Sequence, residues 1–282
     1  MTFGARLAAA TAELGPVCVG IDPHPGLLAA WGLPDDARGL RAFALPVADA
    51  LVGHVAALKP QAAFFERHGA AGVAVLEEVL ARGGGPTQIV LDAKRGDIGS
   101  TMTAYADAYL GEGAPLGADA VTVSPYLGFG SLAPALDAAT RAGRGVVVLA
   151  LTSNPEGAGV QHAATATGSV AGDVVAGAAA ANAAELAARP GPLGSVCLVV
   201  GATVGDAVRR LGLDLAAVRG PLLAPGVGAQ GAGAAELAEV FGDARGAVRA
   251  SASRAVLAAG PSPAGLRAAA ERARDEVVAA LR

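Results

Sequence analysis

Lysine is almost absent from this chain. Every basic residue but two is arginine, and the exceptions are Lys59 and Lys94. The bias towards arginine says nothing about function by itself, but it makes the two lysines worth locating. An ammonium is a compact charge whose pKa can be tuned to deliver a proton, whereas a guanidinium stays protonated. Charge of either sign is sparse, at 16% of residues, and aromatics supply only 4%. A net charge of −4 and a pI near 5.6 argue against a general nucleic-acid binder, although a localised anion site remains compatible with them. Cysteine is limited to Cys18 and Cys197, both inside apolar runs (PVCVG and SVCLVV). They read as small buried hydrophobes in a reduced, cytoplasmic setting, not as a disulfide framework. No stretch approaches the ~20 consecutive apolar residues that cross a bilayer. The opening MTFGARLAAATAELG is interrupted by Glu13 and has no clear cleavage site, so a first helix is expected there in place of a signal peptide.

What the chain does have is small apolar residues: 53% of it is hydrophobic, mostly Ala and Val, mean hydropathy is +0.47, and 40 glycines accompany them. Across 282 residues that is enough for a large core. Short Val-, Ile- or Leu-rich runs, as expected of strands covered on both faces, occur at 16–22, 54–60, 87–94, 118–125, 145–153, 195–202, 221–227 and 247–253. Helical segments are expected between and after them, at about 41–53, 62–82, 100–112, 129–142, 169–188, 203–211, 230–241 and 263–281. Eight such units without a composition break favour a single (β/α)8 TIM-barrel domain over residues 1–282, with a doubly wound open sheet as the alternative. Two segments fit less regularly: the long first connection at 22–40, and the loop at 154–168, a candidate lid.

In such a barrel, chemistry sits at the C-terminal ends of the strands. Those ends carry Asp22, Lys59, Asp92 with Lys94, Ser124, Ser153, the PGVGAQG turn, and Ser253 with Arg254, so both lysines are among them. The third strand runs into LDAKRGDIGST, where charge is most concentrated. Residues two apart on a strand share a face, so Asp92 and Lys94 project inward together while Ile89, Leu91 and Ala93 face the helices. Lys59 can reach the same mouth, and Asp97 completes an alternating Lys-Asp-Lys-Asp array. A mutually neutralised ion-pair network of modest structural value is the plainer alternative. Arg95 falls outside the array and is expected to serve as a solvent or interface residue.

GVGAQG at 226–231 matches G-x-G-x-x-G and raises a dinucleotide-binding alternative. It sits in the seventh unit, however, and no acidic residue ends the strand that follows. A phosphate site fits the barrel better, built from backbone N–H groups, Gln230 and the forked cation of Arg254. His24, His54, His68 and His162 show no metal-ligand spacing apart from Asp22-Pro23-His24, and ordinary polar loop roles are expected of them. Trp31, Phe64, Phe65 and Phe129 are expected to pack core or interface.

DAKRGDIGST resembles the D-x-K-x-x-D-I/V-x-x-T signature of the orotidine 5′-monophosphate decarboxylase family. The resemblance extends to G-I-D at Asp22, A-L-K-P-Q at Lys59, L-T-S-N-P-E-G at Ser153, P-G-V-G-A-Q-G at Gln230 and A-S-R at Arg254. It covers nearly the whole chain in order, and LKPQAAFFERHG and LTSNPEG look like the longer bacterial subgroup often called type 2. The resemblance implies a cytoplasmic homodimer that converts orotidine monophosphate to uridine monophosphate with no cofactor and no metal. It also implies the roles. Lys94 would stabilise the C6 carbanion and protonate it, Asp92 would sit by the departing carboxylate and orient the lysines, and Lys59 would contact the ribose region. Asp97, with Ile98 and Thr101, would be lent across a dimer interface. Asp22 would hold ribose hydroxyls and Ser153 the pyrimidine edge, while Pro225, Gln230, Ser253 and Arg254 complete the substrate-binding set. Magnesium-dependent sugar-phosphate relatives share D-x-K-x-x-D but place an acid where Lys59 stands. A Schiff-base aldolase would not require Asp on both sides of its Lys, and an inactive nucleotide-binding barrel would not require the complete array.

Overall fold

The computed structural model describes residues 1–227 and 231–282. Eight parallel strands close into a barrel: Val17–Ile21, Ala57–Pro60, Gln88–Arg95, Ala120–Val123, Gly145–Leu151, Val196–Val200, Leu222–Pro225 and Val248–Ala252. The ring is sealed between the first and eighth strands, where Val17 pairs with Ala250 and Cys18 with Ser251. Closure excludes the open-sheet alternative.

Both faces of each strand are covered, which is why the strands read as near-continuous apolar runs. Val19, Leu58, Leu91, Val121, Val148 and Leu198 point outward into the core shared with the helices. Cys18, Ala57, Val90, Ala120, Val147, Cys197 and Leu223 point inward. The inward residues are joined by Phe3, Leu7 and Ala10 of the N-terminal helix Phe3–Leu14, which plugs the N-terminal end of the barrel. The plug fits because glycine gives way to it: a Cβ on Gly145 would lie 2.3 Å from the Phe3 ring. Arg6 fastens it, donating to Gln88 Oε1 at 2.9 Å and Gly143 O at 2.8 Å and pairing with Asp119 at 3.1 Å.

Four helical expectations need correction. The segment at 62–82 is two helices, Ala62–Glu66 and Gly69–Leu80, hinged at Gly69 with φ +61°. The break folds the second helix back until Gly72 packs on the Phe65 carbonyl, where a Cβ would stand only 2.0 Å away. The helix expected from 41 begins at Ala37, because the Asp36 carboxylate caps the N–H groups of Arg38 and Gly39 at 2.9 Å each. The one expected over 203–211 is confined to Ala207–Arg210, after a turn at Gly205 with φ +59°. The one expected from 230 starts at Ala234, where Gly233 N–H donates back to the Glu236 carboxylate at 2.9 Å. Short helices at Pro25–Ala30 and Arg254–Leu257 follow the first and eighth strands. The loop at 154–168 carries a helix, Ala158–Gln161, and part of a two-stranded hairpin, Ala164–Thr165 with Gly168–Ser169.

Candidate active site

One layer above the inward ring of Cys18, Ala57 and Val90, the barrel interior changes from apolar to charged. Gly20 pairs with Lys59 and Cys18 with Ala57, so Lys59 sits one inward step above Ala57, as Asp92 does above Val90. The Lys59 ammonium donates to Asp92 Oδ2 at 2.9 Å, and the Lys94 ammonium donates to Asp92 Oδ1 at 2.5 Å. Thr122, inward on the fourth strand, donates its hydroxyl to the same Oδ1 at 2.9 Å. One carboxylate therefore serves both lysines of the chain.

The two ion pairs differ in environment. The side chains of Lys59 and Asp92 are only 10% and 9% exposed, whereas that of Lys94 is 44% exposed. Burial opposes the charge on Lys59, but Asp92 and then Asp22 outweigh it and raise its pKa above the usual lysine value. Burial likewise opposes ionisation of Asp92, and Lys59 and Lys94 together overcome it and hold its pKa below the usual carboxylate value. Both groups are therefore charged across the neutral range.

Simple alternation does not by itself deliver Lys94. Leu91 pairs with Val121 but Arg95 with Val123, so residues 92–94 stand opposite Thr122 alone. Lys94 sits in this bulge with φ +48°, a left-handed conformation that costs a non-glycine residue about 1–3 kcal/mol unless its surroundings enforce it. Its N–H donates to Thr122 Oγ1 at 2.9 Å, so the hydroxyl that fixes Asp92 also fixes the lysine backbone.

Asp97 does not join this array. Its carboxylate caps the N–H of Ile98 at 2.8 Å, and among the described residues it forms no ion pair with either lysine. Three of the four expected groups therefore meet within one chain. Ile98 is 61% exposed, and Thr101 is exposed beside it on the helix Gly99–Leu110.

The other strand ends gather around the same opening. Asp22 follows the first strand, and its Oδ1 is buried with no hydrogen-bond partner among the described residues. Gly20 leaves the space that Asp22 and Ser253 occupy, since a Cβ there would come 2.8 Å from Asp22 Oδ2 and 2.0 Å from Ser253 Oγ. Ser153 lies two residues beyond the end of the fifth strand and is exposed. Pro225 ends the seventh strand, its carbonyl accepting from Ala202 N–H at 2.9 Å. Gly226 follows with φ +89°, and Gln230 lies outside the described residues. Arg254 is exposed at the start of the last short helix and enters no ion pair among the described residues. His24 is a helix cap, accepting from Gly26 N–H at 3.4 Å, and no cluster of three His, Cys, Asp or Glu side chains suited to a metal occurs among the described residues.

A barrel whose mouth holds two ammoniums on one aspartate, in the order the sequence motifs set, can be compared with known proteins. The family model described as "Orotidine 5'-phosphate decarboxylase / HUMPS family" matches residues 15–270. The chain belongs to that family. The orotidine 5′-phosphate decarboxylase of Salinispora arenicola is 60% identical over 282 residues, spanning 99% of this chain and 98% of that protein. The orotidine 5′-phosphate decarboxylase of Streptomyces coelicolor is 55% identical over the same length, again covering 99% and 98%. A crystal structure from Streptomyces avermitilis matches with a TM-score of 0.91 at 53% identity, covering 99% of this chain and 96% of its own. The Leishmania donovani OMP decarboxylase structure matches with a TM-score of 0.74 at 30% identity over 100% and 99% of the two chains.

Within this orotidine 5′-phosphate decarboxylase / HUMPS fold, sequence reasoning missed Thr122. Its inward position follows from the same alternation that placed Asp92, and a polar residue amid AVTV was the available signal. Arg95, expected as a solvent or interface residue, is 27% exposed at its side chain and held by Glu66, Tyr109 and the Ala93 carbonyl, contacts the sequence did not indicate.

Proposed function

We propose that this protein decarboxylates orotidine 5′-monophosphate to uridine 5′-monophosphate, the last step of uridine monophosphate synthesis, without a cofactor. We further read it as a cytoplasmic homodimer whose residues 1–282 act as one domain. The observation that carries the reaction is the array Lys59–Asp92–Lys94, with Asp92 holding both ammoniums at 2.9 and 2.5 Å. No helix of the described residues is long and apolar enough to cross a membrane.

The chemistry follows from which lysine is free to act. Losing carbon dioxide from C6 leaves the bonding electron pair on a carbon that delocalises it poorly. Lys94, the more exposed of the two, stabilises that pair and transfers a proton to C6, giving the product and a neutral amine that recovers its proton from solvent. Lys59, buried and paired with Asp92, fixes that carboxylate and contacts the ribose region. Asp92 holds the Lys94 ammonium in place and sits near the departing carboxylate. A single charge pair at about 4 Å and an effective dielectric near 20 contributes roughly 4 kcal/mol, or about a thousandfold in rate. The remainder must come from a preorganised, water-excluding site and from binding energy expressed only in the transition state.

The handle for that energy is the phosphate, held by Arg254, Gln230 and the turn at Pro225, where the loops after the seventh and eighth strands of such barrels bind phosphate. Asp22, with its unpartnered Oδ1, takes ribose hydroxyls beside Ser253, and Ser153 takes the pyrimidine edge. Asp97, Ile98 and Thr101 serve the partner's site. The exposure of Ile98, Tyr126 and Leu127 at 61%, 77% and 52% supports a covered surface there.

The test is to mix chelator-treated protein with orotidine monophosphate and follow the loss of the orotate chromophore. Turnover is expected; none from well-folded protein overturns the assignment. Sharing is tested separately by mixing an inactive Lys94 variant with an inactive Asp97 variant. Partial recovery is expected in heterodimers, and its absence despite proven subunit exchange refutes a lent Asp97.

A further inference from the structure

Arg95 follows the catalytic lysine directly, yet its side chain leaves the array and turns to the outer side of the same loops. Its Nη2 pairs with the Glu66 carboxylate, its Nε donates to Tyr109 Oη at 3.3 Å, and its Nη1 donates to Ala93 O at 3.3 Å. The guanidinium carbon stands 5.7 Å from the Tyr105 ring centre and 5.9 Å from that of Tyr109. Each partner belongs to a different part of the site's frame. Glu66 ends the helix that follows the Lys59 strand, the tyrosines lie on the helix that follows the Lys94 strand, and Ala93 is the residue before Lys94.

We propose that Arg95 is a positioning residue for Lys94, clamping from outside the two strand–helix units that Asp92 joins from inside. A left-handed lysine in a bulge does not keep its place unaided: residues 92–94 face Thr122 alone, and normal pairing resumes only at Arg95. On the inner side the Lys94 N–H is fixed by Thr122 Oγ1. On the outer side Arg95 O accepts from Ser124 N–H at 2.7 Å while its side chain grips Ala93 O, so Arg95 closes the bulge at both its main chain and its guanidinium. The forked, planar head of arginine reaches Glu66, Tyr109 and Ala93 together, which an ammonium does not. Relaxing this clamp moves the Lys94 ammonium relative to Asp92, and a shift of about 1 Å in a reacting group is worth about a hundredfold in rate.

The inference rests on the decarboxylase reading above. Its test compares wild type with Arg95→Gln, Arg95→Lys, Glu66→Gln and the Arg95→Gln/Glu66→Gln double variant, all scored per folded molecule by circular dichroism. Steady-state turnover of orotidine monophosphate and the affinity for uridine monophosphate are measured for each. Arg95→Gln should lose roughly tenfold to a hundredfold in kcat, with KM and product affinity within about threefold. Arg95→Lys should recover part of the loss, and the double variant should be no slower than Arg95→Gln, because both changes open the same clamp. Should Arg95→Gln not fold, Glu66→Gln breaks the clamp from the partly exposed far end and carries the same expected kcat loss. Unchanged kcat in folded clamp variants, losses shared equally by KM and product affinity, or fully additive losses overturn the proposal. A wild type that leaves the nucleotide untouched overturns the reaction, and the positioning role with it.

Discussion

The two ends of one barrel interior are built on opposite principles. At the N-terminal end, Phe3 and Leu7 meet Cys18, Ala57, Val90, Val147 and Leu223 around a cavity of about 20 Å³ that is lined by apolar side chains apart from Arg249. At the C-terminal end, Lys59, Asp92 and Lys94 crowd onto one carboxylate, and Lys94 is held in a left-handed bulge. The closed end is packed to hold the chain together; the open end accepts buried charge and local strain to place an ammonium. Each end also has one member of the other kind. Thr122 at the mouth works as a structural anchor, and Arg249 at the base is a cation, 4% exposed, with no ion pair among the described residues.

The sharpest separation of the two ends comes from Lys94→Ala. It should lower kcat by about a thousandfold or more while changing unfolding free energy by less than about 1 kcal/mol, since a partly exposed ion pair contributes little to stability. A urea titration beside the turnover assay checks both halves. Phe3→Ala is its mirror image. Emptying a fully buried aromatic site should cost about 3–5 kcal/mol of stability and leave kcat per folded molecule near wild type.

Asp92→Asn breaks the division, because it injures both functions at once. Removing the shared negative charge leaves the Lys59 ammonium buried without its ion-pair partner, which should cost about 3–5 kcal/mol along with turnover. The pH dependence has a definite sign. Asp92 has a lowered pKa, so its contribution is present above the ordinary carboxylate value and fades as the pH falls through the lower, folded value. Lys59 has a raised pKa, so its contribution is full below the ordinary lysine value and is lost only as the pH rises past the higher, folded value. The stability gap between wild type and Asp92→Asn should therefore stay flat through neutral pH and narrow in strong acid or strong base.

The smallest expected effect lies at the base. Burial lowers the pKa of Arg249 to about 10, and among the described residues its guanidinium bonds only to the carbonyls of Gly246 and Val248. A base with a lowered pKa destabilises the fold at every pH where it is charged, so the deficit is full below pH 10 and fades above it. Arg249→Leu should therefore raise unfolding free energy by about 1–2 kcal/mol at pH 7, with kcat unchanged. A loss of stability in that variant would contradict the reading of this end as apolar packing.

All eight strands were legible in the sequence, because a strand covered on both faces must be a short apolar run, and Pro and Gly punctuate the runs. Lys59, Asp92 and Lys94 were legible for the same reason: charge at the end of such a run points into the mouth. What the sequence hid was carried by backbone conformation. Nothing in AAFFERHGAAG announces that Gly69 turns left-handed and folds one helix against the next. Strand alternation put Lys94 beside Asp92 without revealing the bulge that holds it there. The cap that Asp97 places on the Ile98 N–H was likewise hidden, and the contacts of Arg95, expected as a solvent or interface residue, were not legible because its partners, Glu66 and Tyr109, are remote in sequence.

The central claim is that the charged layer does the chemistry and the remaining strand ends do the holding. Its most direct test is one preparation of Lys94→Ala, assayed for orotidine monophosphate turnover and titrated with uridine monophosphate beside wild type. Turnover should vanish while uridine monophosphate affinity stays within about tenfold, the loss of roughly one charged contact. A variant that still decarboxylates at the wild-type rate, or one that loses turnover only because it no longer binds the nucleotide, would contradict it.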